Sequence, residues 1–252
     1  MNRFFIEPAE INNSTTFITG NDAGHILRVL RLAIGDKIEL CDGTGMDYLG
    51  EIVEIGKECL KVKLGEGNPS LGEPTLKVTI FQALPKGSKM DLIIQKTVEL
   101  GANTIVPLKT VRTEVNYSDQ KRLDKKVARW QKISQEAAKQ SRRGIIPIVK
   151  KPIDFDELLK TFSFSAKLLL WEGKNAMGIK GYLENLSHKS WANDNKDMGL
   201  VIGPEGGFDN NEVELARRNG WDIISMGSRI LRTETAGLAA LAAIMSYMGE
   251  ME

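Results

Sequence analysis

"LVIGPEGGFDNNEVELARRNG", residues 200–220, reads as strand, glycine-bearing loop and helix. In α/β proteins that order seats a ligand at the start of a helix, off the carboxyl end of a strand. The loop is not a P-loop, because no Gly-Lys-Ser/Thr closes it. Nor do Gly203, Gly206 and Gly207 fit the G-x-G-x-x-G spacing of a dinucleotide fold. Glu205 would repel a pyrophosphate, and Pro204 removes one backbone N–H from an anion cradle. These features favour a ligand that lacks phosphate and carries positive charge. S-adenosylmethionine, with a sulfonium and an ammonium group, has both properties. The same residues also fit a plain tight turn, with Glu205 near a helix start where the dipole favours an acid.

Outward from this stretch the pattern alternates. "LKVTIFQA", "NTIVPL", "AKLLLWEG", "MGLVIGPEGG" and "WDIISMG" read as strands, and helical patterns lie between them. Such alternation predicts a largely parallel sheet with helices on its faces. Continuous apolar runs such as "LLLW" and "LVIG" fit strands buried on both sides. "SKMDLIIQKTVELG" reads as a helix with Ser88 and Asp91 in capping-box spacing and Gly101 past its end. Three strand-to-loop junctions are the places where a ligand could sit: residues 170–173, 202–207 and 226–229. The last is followed by "RILRTETAGLAALAAIMSYM", in which Thr233 or Thr235 can cap a small-residue helix that is apolar nearly all round.

The N-terminal part changes character. "FFIEP", "TTFIT", "KIELCDG", "YLGEIVEI" and "CLKVKLG" are short β-rich runs, with a hairpin signal at Asp42–Gly45 and a turn at Gly35-Asp36. "NDAGHILRVLRL" is a helical segment carrying Arg28 and Arg31. "GEGNPSLGEP" then reads as a polar linker, which places a domain boundary between residues 1–71 and 72–252. Cys41 and Cys59 form neither a disulfide framework nor a metal quartet. The N-terminus has no signal-peptide h-region, and no apolar run is long enough to span a bilayer, so a cytoplasmic protein is expected.

Net charge is only +1, but its distribution is uneven. From Lys109 to Lys151 thirteen Lys/Arg stand against four Asp/Glu, a plausible phosphate-contacting surface. The same segment, "QKRLDKKVARWQKISQEAAKQ", is amphipathic, so its charges also fit a solvated helix face. The N-terminal part is net acidic, with seven Lys/Arg and eleven Asp/Glu through residue 72, which leaves a local arginine cluster as its only RNA signal.

"IGPEGGF" followed by "MGSRILRTETA" resembles the RsmE family of ribosomal RNA methyltransferases, which belong to the SPOUT class. The likeness extends over the chain: "RFF" at Arg3–Phe5, "HILRVLRL" at His25–Leu32, "KGSKMDLIIQKTVELG" and the segment from Arg129 to Pro147 also match. Arg142 departs, standing where members often carry glycine. The resemblance implies a small PUA-like β-barrel for RNA contact, followed by an α/β domain with a deep trefoil knot. It further implies a homodimer packed through the knot region, and N3-methylation of one uridine in 16S rRNA of the small subunit.

For the cofactor S-adenosylmethionine the resemblance points to main-chain groups at Leu170, Gly203, Met226 and Leu231. Around them stand Trp171, Glu172, Ile202, Pro204, Gly206, Gly227, Ile230 and Thr235. Arg232 is the candidate for stabilising charge on the uracil oxygens, and Glu234 or Glu205 the candidate base. Arg232 and Glu234 fit a mutual structural ion pair equally well. Neither histidine competes, since His25 belongs to the N-terminal part and His188 to a polar loop. Arg3, Arg28, Arg31, Arg112 and Arg143 are the expected RNA contacts. Two other classes stay open: a nucleotide-dependent α/β enzyme and a non-catalytic RNA-binding or ribosome-assembly module.

Overall fold

β-Branched and aromatic residues at alternating positions build five strands into the chain up to Pro69, as the computed structural model shows. It describes residues 3–114, 119–173, 176–188 and 197–252. Two units result, one of residues up to Glu73 with Ala138–Ile146, the other of Pro74–Ala137 with Pro147–Glu252.

In the first unit β1 (Arg3–Phe5), β2 (Thr15–Thr19), β3 (Lys37–Cys41), β4 (Met46–Ile55) and β5 (Cys59–Pro69) form one sheet in the order β1-β3-β4-β5-β2. Only the β1–β3 pair is parallel. A short helix, α1 (Gly20–Gly24), runs into a π-helical turn at His25–Leu30. The β3–β4 turn forms where the sequence places it: the Asp42 carboxylate accepts from Thr44 N–H at 2.8 Å and Met46 N–H at 3.1 Å. Gly43 and Gly45 supply its positive φ angles, 73° and 108°. Phe4, Ile26, Leu40, Ile52 and Leu60 make the core beneath the sheet.

The expected linker is half strand. β5 continues through Gly65–Pro69, where Gly67 pairs with Tyr48 and Pro69 with Met46. The polar composition hid this because Gly67 serves packing: a Cβ there would lie 2.7 Å from the Tyr48 ring. The segment 138–146 completes the unit. Gly144 C=O accepts from Gly45 N–H at 3.1 Å and from the Cys41 thiol at 3.2 Å. Burial pushes that thiol up from its ordinary value, against the hydrogen bond from Gly43 N–H and the nearby Arg3 charge.

The second unit carries β6 (Lys77–Ala83), α2 (Lys89–Glu99), β7 (Thr104–Lys109) and α3 (Gln120–Gln140, whose last turn belongs to the first unit). Short pieces follow: β8 (Ile148–Val149), β9 (Ile153–Asp154) and α4 (Phe155–Thr161). Then come β10 (Ala166–Leu170), β11 (Met177–Gly178), α5 (Ile179–His188), β12 (Asp197–Ile202), α6 (Asn210–Arg218), β13 (Asp222–Ser225) and α7 (Thr233–Tyr247). The strands form one parallel sheet, β11-β13-β10-β12-β6-β7-β8, with β9 also on β7. β12 lies at its centre, and Met198–Ile202 are all buried, as its unbroken apolar run requires. Beside it Phe81 packs edge-on to Phe162, Phe164 and Trp221. His188 ends α5 and is not in a loop; its side chain lies outside the described residues.

Two helix starts differ from expectation. At α2 the Ser88 hydroxyl makes no capping bond, and the Asp91 carboxylate is taken by Arg129 and by the Trp130 indole N–H. The capping box forms at α6: Asp209 accepts from Asn211 N–H, while Asp209 N–H donates to Glu212, each at 3.0 Å.

Candidate active site

β13, β10 and β12 are neighbours in a parallel sheet, so their carboxyl ends emerge side by side. The loops that leave them meet at one cavity of about 370 Å³, in the size range of cofactor sites. Leu170, Trp171 and Glu172 line it from the first junction. Ile202, Gly203, Pro204 and Glu205 line it from the second, and Met226, Gly227, Ile230, Leu231 and Arg232 from the third. Gly206 and Thr235 lie off the lining. The Gly206 carbonyl instead accepts from Arg112 Nη1 at 2.9 Å, and the Thr235 N–H donates to Arg232 C=O at 2.8 Å in the first turn of α7.

Small residues stand where the backbone must pass close to a ring. A Cβ on Gly203 would lie 3.0 Å from Phe208, and one on Gly173 about 2.0 Å from Trp171. Thr233 does not cap α7. Its hydroxyl donates to Gly203 C=O at 2.6 Å and accepts from the buried Gln82 amide at 2.9 Å. One threonine thus pins the second loop to β6 and to the start of α7. Gln82 was not singled out from the sequence, although a lone glutamine in the apolar run "KVTIFQA" was its signal.

Lys89, also missed, is the central charge. Its ammonium lines the cavity, 3.0 Å from Glu205 Oε1 and 3.3 Å from Glu234 Oε2. The second contact satisfies an ion-pair distance but is out of line for a hydrogen bond, so Glu234 Oε2 is buried without one. Glu205 also accepts from Lys86 N–H at 3.1 Å. Burial works to raise the Glu205 carboxyl, but the Lys89 ammonium and the backbone donors outweigh it and hold it below the usual carboxylate range. The hydrogen bond to Glu205 in turn holds the Lys89 ammonium above its ordinary value, despite desolvation. The Arg232–Glu234 pair does not form; among the described residues Arg232 has no ion-pair partner and is exposed. Glu234 stands behind Lys89, off the cavity lining.

The five arginines expected at RNA separate into two groups. Arg3 is 8% exposed and bound to Asp47 and Ser70. Arg143 is 3% exposed, with Nε and Nη2 on the two oxygens of Glu73 at 3.1 and 2.9 Å. Both are corrected to structural cations, because a buried guanidinium already paired with a carboxylate, through one nitrogen in Arg3 and two in Arg143, offers no free charge to a phosphate. Arg28, Arg31 and Arg112 are exposed. Arg31 sits at φ 56°, where the π-helical turn ends, and Arg112 braces the second cavity loop. No group of three or more metal-binding side chains is found among the described residues. No helix among them is long and apolar enough to cross a membrane.

Two family models match: an RNA methyltransferase domain over residues 72–245 and an RNA methyltransferase PUA domain over residues 18–65. "Ribosomal RNA small subunit methyltransferase E" of Bacillus subtilis is 36% identical, with all of this chain and 98% of that protein covered. The protein of the same name from Rickettsia conorii is 34% identical over 96% and 94% of the two chains. A crystal structure of the Neisseria gonorrhoeae ribosomal RNA small subunit methyltransferase E bound to S-adenosyl methionine superposes with a TM-score of 0.81. It is 30% identical, with 98% of this chain and 97% of that one covered.

Proposed function

The chain belongs to the RNA methyltransferase family that includes ribosomal RNA small subunit methyltransferase E, and from that membership we propose that it methylates N3 of one uridine in 16S rRNA, using S-adenosylmethionine. The observation that carries this reading is a cavity shared by the loops of three adjacent strand ends. Its residues fit the cofactor. Glu172 gives negative charge for a cationic ligand, while Glu205 is neutralised by Lys89, and Leu170, Ile202 and Leu231 give apolar walls. The close-packed glycines leave main-chain groups to make the polar contacts. A proline in the central loop removes an N–H that a pyrophosphate would use. When bound, the cofactor supplies an electrophilic methyl group on sulfur.

The chain's own residues have the remaining task of making uracil N3 nucleophilic. N3 carries a proton, so negative charge must be stabilised on the flanking carbonyl oxygens as it leaves. Arg232, a cation at the cavity without an ionic partner among the described residues, serves that purpose together with Lys89. Glu205 and Glu234 hold Lys89 protonated and in place. Glu205 is a weaker base than an ordinary glutamate because its carboxyl is held below the usual range. Glu234 is committed to Lys89 away from the lining. The N3 proton therefore passes to solvent, and orientation of N3 toward the methyl group supplies a large part of the rate.

Arg28 and Arg31 on the first unit are the arginines we assign to rRNA. The knot implied by the family resemblance, a homodimer and a cytoplasmic location belong to the same reading. The dimer is supported by α7, whose Leu238, Ala239, Ala242 and Ala243 are only half-buried. Calorimetric titration with S-adenosylmethionine, beside NADH and ATP, tests the cofactor. Selective binding followed by methyl transfer to unmodified small subunits is the expected result. Binding of NADH or ATP in its place would overturn the proposal.

A further inference from the structure

The structure sorts eleven of the thirteen cations between Lys109 and Lys151 into paired and unpaired ones, while Lys150 lies over the Phe162 ring and Lys126 is half-buried. Lys109, Arg112, Arg129 and Lys151 each sit against a carboxylate, as do Lys139, Arg142 and Arg143 in the first unit. Lys121, Arg122, Lys125 and Lys132 are left exposed on α3, and their side chains have no ion pair or hydrogen bond among the described residues. At 3.6 residues per turn these four fall within an arc of about 100° and span about 16 Å of helix. Leu123, Trp130, Ser134 and Ala137 are buried on the opposite side. No acid between Lys121 and Lys132 lies in the arc: Asp124 projects away from it and pairs with Lys151. Lys121 and Arg122 both face Lys125, at i,i+4 and i,i+3 spacings where like charges repel. Such a stripe calls for external negative charge.

We propose that the Lys121–Lys132 face of α3 is a track for the phosphate backbone of the substrate RNA, a surface that rests on the methyltransferase reading above. It grips by charge and carries no sequence information. Trp130, the aromatic residue nearest the stripe in sequence, is buried, so base stacking has no part in the grip. The test is the combined variant Lys121→Gln, Lys125→Gln and Lys132→Gln, all at exposed positions. Cofactor affinity and thermal midpoint should match the parent. Affinity for small-subunit rRNA should fall, and the slope of log K against log salt should decrease in magnitude by roughly 2–3, at about 0.7–0.9 per lost contact. Unchanged affinity and slope would overturn the proposal. So would loss, in the variant, of sedimentation with phosphatidylserine vesicles while RNA binding persists. If the triple variant unfolds, Lys125→Gln alone should lower the slope by about 0.7–0.9. Should the parent fail to bind S-adenosylmethionine yet lose RNA affinity in the variant, the enzymatic reading falls and the track stands.

Discussion

At the scale of single residues, the site turns on the charge of Lys89, held between two glutamates. Removing that charge while keeping the side-chain length, as in Lys89→Met, should lower kcat by about 10²-fold, the effect of deleting one group that stabilises developing charge. Lys89→Arg should recover part of the loss, which a purely structural role would not require; equal turnover in all three proteins would remove Lys89 from the chemistry. The same pair sets a pH dependence. The depressed carboxyl of Glu205 contributes stability above the ordinary glutamate value of 4.5, and that contribution is lost as pH falls through its lower folded value. The raised Lys89 contributes below its ordinary 10.5, and its share is lost as pH rises through the higher folded value. Denaturation midpoints of the parent and Glu205→Gln should therefore differ between those limits and converge on the acid side. Arg142 is a second case. It has φ 60°, a left-handed conformation that costs a side chain roughly 1–2 kcal/mol. Its ion pair with Glu39, at 3.8 Å, is exposed and worth little. Arg142→Gly should raise stability by about 0.5 kcal/mol after the entropy of glycine in the unfolded chain is deducted, read as a higher denaturant midpoint at unchanged m-value.

At the scale of elements, the parallel strands were legible because burial on both faces leaves an uninterrupted apolar signature, and "GLVIG" and "KLLLW" carry it openly. Helix starts were less so. The pattern Ser88-x-x-Asp91 and the pattern Asp209-x-x-Glu212 look alike in sequence. Arg129 and Trp130, about forty residues away, claim Asp91, while Glu212 takes Val111 N–H on one oxygen and keeps the other for Asp209 N–H. Tertiary partners of that kind leave no local trace. Thr233 shows the same limit, since a threonine at a helix start reads as a cap, but here the hydroxyl is spent on Gly203 and Gln82. The consequence is measurable. Thr233→Val keeps the shape and leaves the Gly203 carbonyl and one Gln82 N–H short of a partner, at a cost of about 1–3 kcal/mol. Because Gly203 lines the cavity, cofactor affinity should fall along with the thermal midpoint. A variant that lost stability but kept parental cofactor affinity would show that the pin holds the helix and not the site.

At the scale of the whole molecule, the division into a β-rich part and an α/β part is visible in the change of periodicity near residue 70. A return of the chain to the first unit is not visible there. Ala138–Ile146 lies in the middle of the sequence, yet it supplies Gly144 to the β3–β4 turn, Ile145 to a bridge with Thr44, and Arg143 to Glu73. "SRRGIIP" has neither strand nor helix periodicity, and its placement depends on pairings across about a hundred residues. An isolated fragment of residues 1–71 lacks Glu73 and all of this segment. It should leave the Cys41 thiol and the Gly45 N–H without their carbonyl partner and expose the apolar surface that Ile145 and Ile146 cover beside Gly43 and Gly45. In the intact chain the matching single change is Glu73→Ala, which strands a guanidinium that is 3% exposed and should cost roughly 3–5 kcal/mol. Amide hydrogen exchange distinguishes the possibilities: protection at β3 and β4 should collapse in the fragment and weaken in Glu73→Ala. Native protection at Leu40 and Ile52 in the 1–71 fragment would mean that the first unit folds without the returning segment, whose contacts would then be an attachment and not part of its core.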